Sequence, residues 1–481
     1  MSPELVLFIF LGYTALLFAV SLITARKANN ESYFIGNRQS PWPVVAFGMI
    51  GTSLSGVTFI SIPGWVGSSQ FSYMMVVFGY VAGYAVISLI LLPLYYRLKL
   101  TSIYSYLDQR FGFWSYKTGA FYFLLSRLIG ASFRMFLVVN VLQLFIFDFY
   151  NIPFWITVVL FMVLITLYSF KGGIKTIVWT DMLQTTFMLT ALIVTIYIIL
   201  NQLDMNLGEM ISIIKEKGYS QIVIKDWQHD RFYLKQFFSG MFITIAMTGL
   251  DQDMMQKNLS CRNLKDAQKN VTSLSILLIP ANFIFLFLGA SLFVFAGIKG
   301  IAIPQLTDNL YPELAFNHFG IFAGMVFFIG LIAAAYSSAD SAITALTTSV
   351  SIDFMGKEKV SKQKRYLIHF AITLLILTII IIFREINDDA VIAQLFTIAG
   401  YTYGPLLGLF AFGLFTSFSL KDKYVPLVAI SAPALTYFIN INSDWLFNGY
   451  KFGFELLILN GLITFAGLWI IKKRTLIKTT T

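Results

Sequence analysis

Long apolar stretches alternate with short polar connections from one end of the chain to the other. A helix needs about 20 mostly apolar residues to cross the hydrocarbon core of a bilayer. With 57% hydrophobic and only 12% charged residues, the chain is too apolar for a water-soluble fold. We therefore predict an all-α polytopic membrane protein, in which the stretch 312–352 also includes an outer surface helix. About thirteen spanning helices are expected, at residues 4–25, 42–69, 70–97, 117–147, 153–170, 174–201, 233–257, 268–298, 312–352, 364–383, 389–417, 422–440 and 451–473.

The positive charges in the connections predict the orientation in the membrane. If the amino end is outside, the inward segments carry 24 Lys and Arg, the outward segments carry 8, and Arg127 and Arg134 lie inside a span. Such a bias in strict alternation follows the positive-inside rule. We therefore predict an outer amino terminus, a cytoplasmic carboxyl terminus and a location in the plasma membrane. Because the basic residues are spread over many short segments, no nucleic-acid partner is expected.

Several kinds of chemistry are absent from the sequence. The single cysteine, Cys261, has no intrachain partner, the three histidines form no ligand cluster, and no GxxxxGK[ST] loop is present. The longest polar connection, at about 201–232, is too short for a separate enzymatic domain. We therefore expect no enzyme, and transport that is driven by an ion gradient. A passive channel and a membrane-embedded enzyme are the alternatives at this point.

The second predicted span is interrupted by small and polar residues. Residues 51–58 read Gly-Thr-Ser-Leu-Ser-Gly-Val-Thr, with two glycines and four hydroxyl groups. A break here would free backbone carbonyls, which at membrane depth are tolerated only where they line a cavity or bind an ion. The alternative is close packing of a continuous helix through its small residues. The sequence of this segment alone favours neither the broken helix nor the continuous one.

The ninth predicted span carries a row of hydroxyl groups beside a carboxylate. Hydroxyls next to a freed carbonyl make an oxygen-only site, which suits a small hard cation. Serines alone are also typical of helix packing, but Asp340 in the same span needs a counter-charge, a proton or a cation. The residues that share one face at helical spacing are Ala334, Ser337, Ser338 and Ser341.

Further charges inside the predicted spans also require partners. Asp181 lies about two turns into its helix, where it would either bind a cation or pair with a lysine of an inner loop. Arg134 lies mid-span, where a guanidinium either pairs with a protein carboxylate or binds an anionic group of a substrate. Arg127, about two turns away on the same face, could serve either purpose.

In their order along the chain, these segments resemble the sodium/solute symporter family. The resemblance covers most of the chain. It implies a leucine-transporter-like fold of two inverted five-helix repeats, at about 42–201 and 233–417, with one helix before them (4–25) and two after (422–473). The motifs that carry it are the 51–58 segment, Gly172-Gly173 with Thr180-Asp181-x-x-Gln184, Asp251-Gln-Asp-Met-Met-Gln-Lys257 with Asp266-Ala-Gln-Lys269, and Ala334-x-x-Ser337-Ser338.

The resemblance also implies a sodium site made of backbone carbonyls and hydroxyl groups. Sodium there would bridge the second and ninth spans, the two segments that the residues themselves single out. The corresponding groups are the carbonyls of Gly51, Leu54 and Ala334 and the hydroxyls of Ser337 and Ser338.

Some members of the family, the sialic-acid transporters, are similar at further positions. Asp340 departs from their pattern, in which a serine is expected, and it would either strengthen sodium binding or allow proton coupling. Sugar-transporting members carry a glutamine at the position of Thr58, which counts against a neutral hexose. The resemblance implies solute binding by Ser53, Ser55, Thr58 and Arg134, and a second sodium site at Asp181, Ser337, Asp340 and Ser341.

We therefore predict sodium-coupled symport of a small organic solute by alternating access, with an anionic solute such as a sialic acid as one candidate. The expected partners are sodium, the solute and the lipid bilayer. A sodium-coupled symporter of sugars or other neutral solutes, and an uncoupled channel or uniporter, are the alternatives.

Overall fold

A computed structural model describes residues 3–24, 30–169, 173–356, 360–386 and 391–476. Gly172 of the second motif lies outside these ranges, as do some of the basic residues counted above: Arg26, Lys27, Lys171, Lys357, Lys359 and Lys478.

Helices dominate the described part of the chain, and π-helical turns extend four of them. The helices are α1 (Pro3–Thr24), α2 (Asn30–Ile35), α3 (Trp42–Ser69), α4 (Tyr73–Val86), α5 (Leu92–Arg97), α6 (Ser105–Arg110), α7 (Phe113–Leu142), α8 (Phe154–Ser169), α9 (Ile174–Gln202), α10 (Leu207–Glu216), α11 (Tyr233–Thr244), α12 (Gln252–Leu259), α13 (Leu264–Lys299), α14 (Leu310–Asn317), α15 (Ile321–Ser349), α16 (Lys362–Ile386), α17 (Val391–Phe415), α18 (Val425–Ile441), α19 (Ser443–Leu446) and α20 (Leu456–Ile470).

The helices account for the predicted spans. Within the described residues, ten helical segments are long and apolar enough to cross a membrane, and two shorter apolar helices correspond to α8 and α20. The α11–α12 pair occupies the remaining predicted position. The all-α membrane architecture is therefore confirmed, whereas the number of crossings stays a prediction.

The stretch predicted at 312–352 divides into two helices. The chain turns at Gly320, whose φ of 88° favours glycine, between the short α14 and the long α15. The additional helix expected here is thus present, although most of its residues are buried. A small antiparallel sheet that the sequence did not predict pairs β1 (Phe418–Leu420) with β2 (Lys472–Leu476).

α3 is interrupted at Ser55, within the glycine- and hydroxyl-rich segment. Ser55 has φ 39° and ψ 176°, a conformation that residues other than glycine rarely adopt. In a regular helix the N–H groups of residues 55–58 bond to the carbonyls of residues 51–54. A break at Ser55 therefore loosens this turn and frees carbonyls in the region of Gly51 and Leu54.

The segment 51–58 also shows the close helix packing that was the alternative to a break. A Cβ on Gly51 would lie 2.3 Å from Thr185 Oγ1 of α9, and the Gly51 N–H donates to that oxygen at 3.0 Å. Glycine thus lets α3 approach α9 closely, and α3 packs against α13 and α15 as well. The segment combines close packing with a break, so the two alternatives are not exclusive.

The predicted span 233–257 is wrong as a continuous helix. α11 and its π-helical turn end at Gly249, and α12 begins at Gln252. Asp251 between them is extended, and its carboxylate caps α12 by accepting from the N–H groups of Asp253 at 2.9 Å and Met254 at 3.3 Å. A glycine followed by an aspartate in the N-cap position was the available signal for this break.

Candidate functional site

The interrupted turn of α3 lies against α9 and α15, and hydroxyl groups join the three helices. Thr52 Oγ1 of α3 lies 3.3 Å from Ser337 Oγ of α15 and donates to Asp181 Oδ2 of α9 at 3.1 Å. Ser337 donates to Asp181 Oδ1 at 2.6 Å. All three side chains are buried. The structure therefore brings Asp181 and Ser337 together beside the loosened carbonyls of α3.

The residues expected at the first sodium site lie on these two facing segments. Gly51 and Leu54 belong to the loosened turn of α3, while Ala334, Ser337 and Ser338 lie on α15. Ser338 donates to the Ala334 carbonyl oxygen at 3.2 Å. Because Ser337 donates its hydrogen to the carboxylate on α9, the lone pairs of its oxygen remain available to a cation. Carbonyl and hydroxyl oxygens are donors that suit a hard cation such as sodium.

Asp181 is paired with a lysine. The ammonium nitrogen of Lys257 lies 2.6 Å from Asp181 Oδ2 and 2.6 Å from Thr52 Oγ1. The side chains of Lys257 and Asp181 are each 1% exposed. Of the two roles considered for Asp181, the structure shows the pairing with a lysine. This lysine, counted above among the inward segments, lies in the buried α12.

Of the other two residues expected at the second sodium site, Ser341 contacts a different carboxylate. It donates to Asp253 Oδ1 of α12 at 2.7 Å. Asp340 is fully buried on α15. Ser341 is thus turned toward a carboxylate other than Asp181.

α12 holds a second buried ion pair. Asp253 pairs with the Arg127 guanidinium of α7, and Asp251 Oδ2 lies 4.0 Å from the same group. Tyr403 of α17 donates to Asp251 Oδ2 at 2.6 Å. Sequence reasoning assigned no role to these two aspartates or to Lys257. The three charges of Asp251, Asp253 and Lys257, close together in one predicted span, were nevertheless a signal that buried partners had to exist.

A cavity lined by polar and apolar side chains lies beside these ion pairs. Its wall combines hydroxyl groups, two guanidinium groups, an amide and apolar side chains from α3, α4, α7, α11, α12, α13 and α17. The residues expected to bind the solute all line it: Ser53, Ser55, Thr58 and Arg134. Three tyrosines of α4 line it as well: Tyr73, Tyr80 and Tyr84.

The two arginines of α7 differ in their partners. Arg127 also reaches the cavity but is held by Asp253. Arg134 forms no ion pair with any residue that the structure describes, and its Nε is buried without a hydrogen bond. Ser53 Oγ is likewise buried without a hydrogen bond to the described residues. The cavity therefore presents a cation and a hydroxyl group with unused hydrogen-bonding capacity.

Known proteins share this architecture. The human sodium/iodide cotransporter is 23% identical over 421 residues, which cover 82% of this chain and 63% of that protein. The sodium/sialic acid symporter NanT of Aliivibrio fischeri is 24% identical over 417 residues, which cover 84% of this chain and 81% of NanT.

A solved structure of a sodium-coupled sialic acid symporter, in a substrate-bound outward-open state, has a similar fold. The TM-score is 0.80 at 19% sequence identity, with 98% of this chain and 99% of that chain covered. This likeness confirms the leucine-transporter-like fold. The model of the "Sodium:solute symporter family" matches residues 33–418, more than half of the chain. The chain therefore belongs to the sodium:solute symporter family.

Proposed function

We propose that the solute of this sodium-coupled symporter is a small organic anion, such as a sialic acid, and that Arg134 binds its negative charge. Membership of the family makes the chain a transporter, not an enzyme, with sodium as its coupling ion. The observation that carries the proposal is the contrast on α7. Arg127 is neutralised by carboxylates, whereas Arg134 lines the cavity with no ion pair among the described residues. A guanidinium in this position is suited to a carboxylate from outside the protein.

The remaining polar groups of the cavity suit a hydroxylated solute. Ser53, Ser55 and Thr58 supply hydroxyl groups on the inner wall of the α3 break, and the α4 tyrosines supply more. Sialic acid and iodide, named in the two relatives above, are both anions. A neutral sugar would leave Arg134 without a counter-charge in a partly apolar cavity, which is costly. This cost favours the anion over the neutral-solute alternative.

Sodium would couple to the solute through α3. The proposed sodium site uses the carbonyls of Gly51 and Leu54 on one side of the Ser55 break, and the proposed solute site uses Ser53, Ser55 and Thr58 around the same break. An ion that orders this turn therefore also orders the hydroxyl groups of the cavity. Coupling requires only that sodium favours the solute-competent state by about 1 kcal/mol or more.

The topology proposed from the charges assigns a direction to the cavity. Tyr73 at the start of α4 and Leu395 near the start of α17 line it, and both lie toward the end of the molecule that the positive-inside rule assigns to the outside. We therefore take this conformation as outward-facing, in the plasma membrane, with the amino end out and the carboxyl end cytoplasmic. The proposed repeats at 42–201 and 233–417 each begin with an interrupted helix, which supports that division.

Uptake into proteoliposomes tests the function. Radiolabelled N-acetylneuraminic acid, pyruvate and glucose are offered with an inward sodium gradient or with choline. We expect uptake of an anion only in sodium, and Arg134→Gln should weaken it by roughly 30-fold or more, as for the loss of a buried charged contact. Arg262→Gln, at an exposed position, is the control.

Other outcomes of the uptake experiment would favour one of the alternative functions. Sodium-driven uptake of glucose alone would favour the neutral-solute alternative, and uptake that is equal in choline would favour a uniporter. Anion uptake that survives Arg134→Gln would return Arg134 to a structural role.

A further inference from the structure

The position where a second sodium ion is expected already holds a positive group of the protein. Lys257 of α12 reaches Asp181 Oδ2 and Thr52 Oγ1, both at 2.6 Å, and is almost completely buried. A carboxylate at membrane depth needs a neutralising partner, and here the ammonium group supplies it.

Protein groups fill the accepting capacity of the Asp181 carboxylate. Oδ2 accepts from Lys257 and, at 3.1 Å, from Thr52, while Oδ1 accepts from Ser337 at 2.6 Å. The Gln184 amide, in the orientation that its neighbours require, donates to Oδ1 at 3.3 Å. An ionised carboxylate has about four lone-pair positions. A sodium ion could therefore bind Asp181 only by displacing one of these donors.

The hydroxyl group expected to complete the second site is engaged as well. Ser341 donates to Asp253 Oδ1 at 2.7 Å, and Asp253 is itself neutralised by Arg127. The two carboxylates that α15 contacts through its serines thus each have a basic partner within the protein. Neither leaves a net negative charge that would attract a further ion.

We propose that the Lys257 ammonium group is a built-in cation at Asp181, so that this chain binds and moves one sodium ion per solute, at the α3–α15 site. The proposal rests on the proposed function in taking that site as the place where sodium binds. Ser337 links the two cations, because it donates its hydrogen to the carboxylate held by Lys257 and keeps the lone pairs of its oxygen available to sodium. Lys257 thereby positions a sodium ligand without contacting sodium itself.

Counting bound sodium tests the proposal. Equilibrium binding of radioactive sodium to the purified full-length protein, without solute, should give one ion per polypeptide and no cooperativity. Lys257→Ala removes the ammonium group and leaves Asp181 with space beside it, so two ions per polypeptide are expected. Lys265→Ala, at an exposed position near the start of α13, should leave the count at one.

The outcomes separate this proposal from the proposed function. No bound sodium in the unmodified protein would overturn the α3–α15 site and with it the sodium-coupled mechanism. Two ions in the unmodified protein, or one ion in folded Lys257→Ala, would overturn the role of Lys257 alone.

A charge-neutral variant guards against a failure of Lys257→Ala to fold. Asp181→Asn combined with Lys257→Met removes both charges and keeps the side-chain volumes, so no charge is left buried without a partner. We expect this double variant to fold and to bind one ion. A count of two would locate a second ion away from Asp181 and overturn the proposal.

Discussion

Arg127 and Arg134 lie about two turns apart on α7 and offer a matched test of ion pairing inside the molecule. Arg127 pairs with Asp253 and lies 4.0 Å from Asp251, whereas Arg134 has no ion pair among the described residues. Methionine in place of either arginine removes the charge and keeps a long apolar side chain. We expect opposite effects of the two substitutions on the free energy of unfolding.

The structure sets the expected magnitudes. Removal of one partner from a buried ion pair typically costs about 3 to 5 kcal/mol, because the other charge is left uncompensated. After Arg127→Met, Asp253 stays fully buried but keeps the hydrogen bond from Ser341. Asp251 keeps the hydrogen bond from Tyr403. We therefore expect the lower end of that range, about 3 kcal/mol.

Among the residues that the structure describes, Arg134→Met leaves no carboxylate without an ion-pair partner. It also removes the cost of holding a guanidinium in a partly apolar cavity. We expect the free energy of unfolding to change by less than about 1 kcal/mol or to rise. Anion binding should be lost all the same.

Unfolding in mixed micelles, followed by circular dichroism, measures both effects. Sodium and solute are left out, because a ligand that binds the native state would add its own stabilisation. Arg127→Lys retains the charge and should recover part of the loss. Equal losses for the two methionine variants, or a larger loss for Arg134→Met, would refute the assignment of Arg127 to structure and Arg134 to the solute.

Three further substitutions test other parts of the structure. Ser338→Ala should weaken sodium affinity by about 1 kcal/mol, or roughly fivefold, in the sodium dependence of the melting temperature; an unchanged affinity would remove Ser338 from the site. Gly79→Ala should lower the free energy of unfolding by about 1 to 3 kcal/mol, because its Cβ would lie 2.0 Å from the Phe237 carbonyl oxygen. Gly12→Ala is the control and should be neutral, because a Cβ there would have nothing within 4 Å. Equal effects of these two would contradict the close packing of α4 on α11. Ser55→Gly should stabilise by about 1 kcal/mol through relief of backbone strain while weakening solute binding, and a loss of stability would contradict the strained break.

The membrane architecture could be predicted because the bilayer imposes one length and one polarity on every spanning helix. The break in α3 was one of two open alternatives because Gly51 serves both close packing and a loosened turn. The break before α12 was missed because the long apolar run before Gly249 raises the averaged hydropathy of the whole stretch, including the polar residues from Asp251 to Lys257. One capping aspartate is a local signal, and hydropathy averages it away.

The partners in the buried ion pairs could not be predicted from the sequence. A buried Asp181 demands a counter-charge, but the sequence does not say which of several basic residues supplies it. Lys257 can reach it only because the interruption at Asp251 turns α12 into a separate buried helix. The same interruption decides between the two arginines of α7, since it brings Asp253 to Arg127 and leaves Arg134 to the cavity.

The polar contacts between the helices around Asp181 differ in strength. α12 is joined to α9 and α7 by the buried pairs of Lys257 with Asp181 and Asp253 with Arg127, and removal of one partner from either pair would cost about 3 to 5 kcal/mol. Among these contacts, α15 reaches the same carboxylates only through hydroxyl groups. Each of these hydrogen bonds has a charged acceptor and contributes about 1.5 to 3 kcal/mol. The contact of α15 with Thr52 of α3 is weaker still, because these two hydroxyl groups, 3.3 Å apart, both donate their hydrogens to Asp181. Among these polar contacts, the one between α3 and α15 is therefore the weakest, and it is the contact that the proposed sodium ion would span.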